Sequence, residues 1–124
     1  MRICIDIDGT LCETKSDNQE YSDVKPLPHA VECVRRLKEE GNTIILYTAR
    51  NMKTCNNNVG KVIANIGMIT LEWLSRNNIP FDEIYFGKPL ADVYIDDKGL
   101  KYENDWKNIE NEINNIKQEN RKWV

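Results

Sequence analysis

The stretch Asp6-Ile7-Asp8-Gly9-Thr10-Leu11 follows the short apolar run Ile3-Cys4-Ile5 near the start of the chain. The apolar run predicts a buried strand over residues 2–7, and the glycine allows the backbone to turn sharply after it. This strand would deliver both aspartates to its carboxyl end. Two carboxylates so close together repel each other unless a cation or a shared proton offsets the repulsion. The pair therefore indicates a functional site, for which we expect phosphoryl chemistry.

The composition predicts a single soluble domain over residues 1–124. Of these residues 40% are hydrophobic and 30% are charged, which is typical of globular proteins. No apolar stretch approaches the ~18 residues of a membrane span and no signal peptide is recognised, so we expect a cytoplasmic location and no membrane partner. The net charge of −3, without a basic cluster, argues against nucleic acid as a partner.

The cysteines do not form a metal motif. Cys4, Cys12, Cys33 and Cys55 have wide, irregular spacings without a Cys-x-x-Cys pair, and the chain has one histidine. A zinc site is therefore not expected. Reduced thiols are the expectation for a cytosolic protein.

Strands and helices are predicted to alternate along the chain. From apolar runs and helical periodicity, we predict strands at 2–7, 43–48, 84–86 and 93–95, and helices from about 28 to 41, at 61–77 and from about 104. This order predicts an α/β fold, namely a three-layer Rossmann-like parallel sheet with helices on both faces. Trp106 and Trp123 are expected to pack as part of the final helix.

Three further polar signals end or follow predicted strands. Thr48 ends the second strand, Lys88 follows the third, and Asp96-Asp97 ends the fourth. Ligands of such sheets collect beyond the carboxyl ends of the strands. The strands would therefore gather four carboxylates, one hydroxyl and one ammonium in one pocket. Each residue alone is explained as a turn, strand or surface residue, but their common position favours a site.

In this order, the motifs resemble those of the haloacid dehalogenase superfamily of phosphohydrolases. Asp6-Ile7-Asp8-Gly9-Thr10-Leu11 looks like the first motif of this superfamily. Thr48 looks like the second motif, Lys88 like the third and Asp96-Asp97 like the fourth. Residues 46–50 and 86–98 are similar to a small subgroup called capsule-biosynthesis phosphatases. Most members of the superfamily carry a cap domain, but the intervals after the first and second motifs are too short for one. The chain therefore resembles a capless member with a single phosphohydrolase domain.

The resemblance implies a phosphatase that works through a covalent intermediate. Asp6 would attack phosphorus and form an aspartyl-phosphate. Asp8 would protonate the leaving oxygen and later deprotonate the water that cleaves the intermediate. Thr48 would hydrogen-bond a phosphoryl oxygen, and Lys88 would neutralise charge on Asp6 and on the transferring group.

The resemblance also implies Mg²⁺ as the cofactor. Asp6 and Asp96 would be side-chain ligands, the Asp8 backbone carbonyl a third, and Asp97 would act directly or through another ligand. Arg50 is a candidate for substrate binding, because a guanidinium can hold phosphate or carboxylate with two hydrogen bonds; a surface arginine is the alternative. The expected partner is a small phosphoester, with a sugar phosphate of surface-polysaccharide metabolism implied by the subgroup. A homo-oligomer would cover the open site.

Two other classes of protein stay open on the sequence alone. A response-regulator receiver also phosphorylates an aspartate on a parallel sheet with magnesium. It has no Asp-Asp after its lysine, so the order of motifs favours the phosphatase. The second alternative is a non-catalytic binding protein of the same fold. A dinucleotide-binding module is disfavoured, because no Gly-x-Gly-x-x-Gly follows a strand.

Overall fold

The computed structural model describes residues 1–122, in which strands and helices alternate. One parallel sheet in the order β1-β2-β3 is formed by β1 (Arg2–Asp6), β2 (Thr43–Thr48) and β3 (Glu83–Phe86). The helices are α1 (Ala30–Glu39), α2 (Val59–Arg76) and α3 (Trp106–Lys122), with a 3₁₀ helix at Tyr21–Asp23. The predicted α/β class with a parallel sheet is confirmed, and no cap domain is present among these elements.

The pairing register brings the carboxyl ends of the strands together. Asp6 at the end of β1 pairs with Tyr47, and Thr48 at the end of β2 pairs with Phe86. The backbone N–H of Lys88 donates to the Thr48 carbonyl at 3.0 Å, which continues the alignment past the end of β3. The residues that end the three strands therefore lie along one edge of the sheet, where ligands of parallel sheets bind.

The hydrophobic core lies against one face of the sheet. It combines apolar residues from β1, β2 and all three helices, among them Ile5, Ile7, Ile44, Leu46, Ala30, Val34, Leu37, Trp73, Leu74, Trp106, Ile109 and Ile113. Side chains alternate between the faces of a strand, so Cys4 and Tyr85 belong to the opposite face, and both are exposed. The core side is the face that carries Ile5 and Leu46, and all three helices contribute to it.

Local residues set the helix boundaries. Asn58 caps α2, because its side chain accepts a hydrogen bond from the Lys61 backbone N–H at 3.1 Å. The first helix begins at Ala30 rather than at 28, because His29 has a left-handed φ of 66° that cannot belong to a helix. None of the helices in residues 1–122 has the length and apolar composition needed to cross a bilayer.

Two buried tryptophans connect helices to loops. Trp73 in α2 is 1% exposed, and its Nε1 donates to the Val24 carbonyl at 2.7 Å. Trp106 begins α3, and its Nε1 donates to the Thr10 carbonyl at 2.8 Å. The third helix therefore holds the loop that follows the first pair of aspartates. The packing expected of Trp106 is found, whereas Trp123 lies outside the described residues.

The predicted fourth strand at 93–95 is wrong. The segment has no regular secondary structure, and Val93 and Ile95 are 70% and 93% exposed. A strand needs a neighbour for its backbone hydrogen bonds, and the apolar character of a short segment does not supply one. As a result, β1 is an edge strand of the sheet, with β2 as its single strand partner in residues 1–122.

Candidate active site

Asp6 and Lys88 form an ion pair at the carboxyl end of the sheet. Lys88 Nζ lies 3.6 Å from Asp6 Oδ1, and the Asp6 side chain stays partly exposed. The ammonium also lies over the Tyr94 ring, 4.3 Å from its centroid. Burial raises the pKa of the Asp6 carboxyl above its ordinary value, and the positive charge of Lys88 acts against that shift. An anionic ligand can approach this partly exposed carboxylate, because the positive charge of Lys88 offsets the repulsion between the two negative groups.

Gly87 determines where the backbone of Lys88 lies. Its φ of +94° falls in the left-handed region, which strains other residues. A Cβ at this position would also lie 2.9 Å from Val59 Cγ2 at the start of α2. Glycine is therefore the residue that allows the end of β3 to approach the helix this closely.

Gly87→Ala is expected to destabilise the protein more than Gly41→Ala. Both glycines have a φ of +94°, so each substitution adds roughly 1–2 kcal/mol of backbone strain. A Cβ at Gly41 meets no atom within 4 Å, whereas the contact with Val59 should cost about 1 kcal/mol more. Urea unfolding measures the difference. Equal losses in the two variants would show that the close approach to Val59 carries no energetic weight.

The carboxylate of Asp8 is held by Arg50. Arg50 Nε donates to Oδ2 at 3.0 Å and Nη2 donates to Oδ1 at 2.7 Å. Nη1 donates to Thr70 Oγ1 at 3.1 Å, and the guanidinium lies 4.2 Å from the centroid of the Tyr21 ring. The Arg50 side chain is fully buried, while that of Asp8 is 25% exposed. This placement does not match the predicted contact of Arg50 with substrate, because the side chain is fully buried and each of its three nitrogens donates within the protein.

Cys12 and Thr48 lie against this pair. Cys12 Sγ is 3.6 Å from Asp8 Oδ1, and burial raises the pKa of the thiol to about 12, so the group stays protonated. Thr48 is fully buried, and its hydroxyl accepts the Arg50 backbone N–H at 3.0 Å. A hydroxyl that accepts keeps its own proton to donate. The contact of Thr48 with a phosphoryl oxygen stays a prediction.

Asp96 and Asp97 do not join the first two aspartates in a metal site. Both are exposed, and Asp96 Oδ1 accepts hydrogen bonds from the backbone N–H groups of Lys98 and Gly99 at 2.7 and 2.6 Å. Within residues 1–122, no group of three or more His, Cys, Asp and Glu side chains could hold a metal ion. The residues as arranged therefore do not fit the predicted magnesium site, because the strand expected to carry Asp96 to the edge is not formed.

Sequence reasoning missed three side chains of this site. They are Cys12, Tyr21 and Thr70, which contact Asp8 or Arg50. Thr70 offered one signal, since it is a polar residue on the buried stripe of α2 between Ile66 and Trp73. The other two lie in a polar loop segment without periodicity, so no local pattern could identify them.

The sequence matches the profile of a known protein family. The profile described as haloacid dehalogenase-like hydrolase matches residues 3–123. The chain belongs to this family. The superfamily resemblance of its motifs is thereby confirmed, while the subgroup of capsule-biosynthesis phosphatases is not.

Two solved structures are similar to this hydrolase. A structural genomics target from Vibrio cholerae has a TM-score of 0.75 and 36% identity, covering 81% of this chain and 82% of the other. A D,D-heptose 1.7-bisphosphate phosphatase from B. bronchiseptica, complexed with magnesium and phosphate, has a TM-score of 0.47 and 18% identity, covering 68% of this chain and 48% of the other. No functionally curated protein matches the sequence significantly. The first similarity supports the fold, and the second is too distant to support a function.

Proposed function

We propose that this hydrolase is a magnesium-dependent phosphomonoester hydrolase. The observation that carries the proposal is the ion pair between Asp6 and Lys88, 3.6 Å apart at the carboxyl end of the sheet. Asp8, two residues further along, keeps part of its carboxylate exposed. A nucleophilic carboxylate, a cation and a second carboxyl group together can transfer a phosphoryl group to the protein and release it again.

The first proposed step transfers the phosphoryl group to Asp6. One oxygen of its carboxylate attacks phosphorus, and the bond from phosphorus to the ester oxygen breaks. Asp8 in its protonated form gives its proton to the leaving oxygen, so the alcohol departs neutral. Lys88 balances the negative charge on the transferring group, and the Thr48 hydroxyl donates to a phosphoryl oxygen.

The second proposed step hydrolyses the aspartyl-phosphate. A water oxygen attacks phosphorus while the Asp8 carboxylate takes one of the water protons. The bond from phosphorus to the Asp6 oxygen then breaks, which releases inorganic phosphate and restores the Asp6 carboxylate. Asp8 ends the cycle protonated, ready for the next leaving group. Two displacements at one carboxylate replace a single difficult hydrolysis.

We propose that Mg²⁺ binds beside Asp6 and Asp8 at the carboxyl end of the sheet, in a state of the protein in which residues 96–97 lie closer to these two aspartates than in this structure. The ligands would then be Asp6, the backbone carbonyl of Asp8, Asp96 and, directly or through another ligand, Asp97. The exposed apolar side chains of residues 93–95 support such a rearrangement, since they are unfavourable in water. Bound Mg²⁺ would supply positive charge that reduces the repulsion between the substrate phosphate and the carboxylates.

Mg²⁺ is expected to raise the melting temperature of the wild-type protein. An ion present at 100 times its dissociation constant adds about 2.7 kcal/mol to the stability of the state that binds it. Asp96→Asn should reduce this shift. Asp92→Asn, which changes an exposed residue four positions earlier in the sequence, should preserve it. Calorimetry with Mg²⁺ or with EDTA measures the shifts. A full shift in Asp96→Asn would exclude Asp96 as a ligand.

Release of inorganic phosphate from p-nitrophenyl phosphate tests the reaction itself. We expect turnover with Mg²⁺ and none with EDTA, and a panel of sugar phosphates then tests the substrate class. No release from any phosphoester would favour a non-catalytic binding protein, and a stable aspartyl-phosphate without turnover would favour a receiver. The sugar phosphate substrate, the homo-oligomer and the cytoplasmic location stay predictions.

A further inference from the structure

Arg50 is a buried cation whose charge is matched by the carboxylate of Asp8. Two of its nitrogens donate to the two oxygens of that carboxylate, at 2.7 and 3.0 Å. A charge inside a protein is strongly unfavourable unless it is paired and hydrogen-bonded. The pair of parallel hydrogen bonds also fixes the plane of the carboxylate, which a single donor would leave free to rotate. Arg50 therefore determines the orientation of Asp8.

Contacts on the far side hold the guanidinium itself in place. Arg50 Nη1 donates to Thr70 Oγ1 at 3.1 Å, and the Thr70 hydroxyl in turn donates to the Ile66 carbonyl at 2.7 Å. The ring of Tyr21 lies against the guanidinium, 4.2 Å from its carbon. Side chains of α2 and of the 3₁₀ helix at Tyr21–Asp23 therefore fix the guanidinium, and the guanidinium in turn fixes the orientation of Asp8.

We infer that Arg50 is a positioning residue that holds Asp8 in the orientation required for proton transfer to and from the substrate. The inference rests on the proposed function, in which Asp8 is the acid and base. Each carboxylate oxygen can accept two hydrogen bonds. Oδ1 accepts from Arg50 Nη2 and Cys12 Sγ, whereas Oδ2 accepts from Arg50 Nε alone and keeps a lone pair for proton transfer. The side chain of Asp8 is 25% exposed while that of Arg50 is fully buried, which places Arg50 behind the reacting group rather than beside the substrate.

Arg50→Lys is expected to lower kcat about 100-fold while KM for p-nitrophenyl phosphate changes less than about threefold. Lysine keeps the positive charge but cannot make the two parallel hydrogen bonds. A small displacement of a catalytic group costs about 10²-fold in rate. Arg35→Lys, at an exposed position on α1, is the control and should retain wild-type kcat and KM.

A second pair of variants changes Thr70, which contacts Arg50 and should affect Asp8 only through Arg50. Thr70→Val removes the hydroxyl that accepts from Nη1 and should lower kcat about tenfold, with KM nearly unchanged. Thr70→Ser keeps the hydroxyl and should restore most of the wild-type kcat. Circular dichroism and a melting curve for each variant allow kcat to be expressed per folded molecule, so that a simple loss of stability is separated from a loss of orientation.

The outcomes distinguish this role from the others. A lower kcat at constant KM, restored by the serine variant, supports positioning. A higher KM at constant kcat would overturn the inference in favour of direct substrate binding, and a lower melting temperature at constant kcat would overturn it in favour of a structural role. An inactive wild-type protein rejects the proposed function and this role together, whereas an active wild type with an unaffected Arg50→Lys variant rejects the role alone.

Discussion

Asp6→Asn is expected to abolish phosphate release while the protein stays folded. An amide oxygen cannot replace the carboxylate as a nucleophile, and loss of a covalent nucleophile lowers kcat by up to about 10⁶-fold in a hydrolase. We therefore expect a loss of at least about 10³-fold. Burial raises the pKa of Asp6 while the charge of Lys88 acts against that shift, so the loss of the ion pair and the gain from a neutral side chain oppose each other, and the melting temperature should change little.

A matched control separates this effect from a general loss of acidic charge. Asp17→Asn changes an exposed residue of the loop after β1 and should leave both turnover and melting temperature as they are in the wild type. Phosphate release and thermal unfolding are measured on the same preparations. More than a few per cent of wild-type turnover in Asp6→Asn would contradict its assignment as the nucleophile.

Trp73→Ala is expected to lower the free energy of unfolding by about 3–5 kcal/mol. Trp73 is 1% exposed in the core, and its Nε1 holds the Val24 carbonyl at 2.7 Å. The substitution leaves a large cavity and an unpaired carbonyl. Because domains of this size have about 5–15 kcal/mol of stability in total, the variant should be close to unfolding at 37 °C.

Urea unfolding of two further variants separates the stability lost with the hydrogen bond from the stability lost with the apolar volume, and provides a control. Trp73→Phe keeps most of the apolar volume but removes the hydrogen bond, so a loss of about 1–3 kcal/mol is expected. Met68→Ala changes a residue of the same helix that is largely exposed, and its effect should stay within about 0.5 kcal/mol. A Trp73→Ala variant as stable as Met68→Ala would show that Trp73 is not packed as described.

The sequence predicted the features of the fold that depend on residues close together along the chain. Continuous apolar runs identified β2 and β3, helical periodicity identified all three helices, and Asp6, Thr48 and Lys88 could be assigned to strand ends. Because parallel strands align at their carboxyl ends, these three residues could be expected along one edge. Helix boundaries were less accurate, since the left-handed conformation of His29 has no local pattern.

Features that depend on distant pairing could not be read from the sequence. Asp8 and Arg50 are separated by 42 residues, and no pattern around either one names the other as its partner. The same limit explains the error at 93–95. That segment has the composition of a strand, but whether it pairs with β1 is decided by contacts far away along the chain.

The hydrogen bond from Trp106 Nε1 to the Thr10 carbonyl spans 96 residues and has a consequence for translation. Ribosomes add roughly 5–20 residues per second, so a nascent chain carries Asp6 for about 5–20 s before Trp106 is added. Throughout that interval the loop after β1 lacks the side chain that secures it. The enzyme should therefore acquire activity only when the last helix is made, and ribosome-bound chains that end before Trp106 should be inactive.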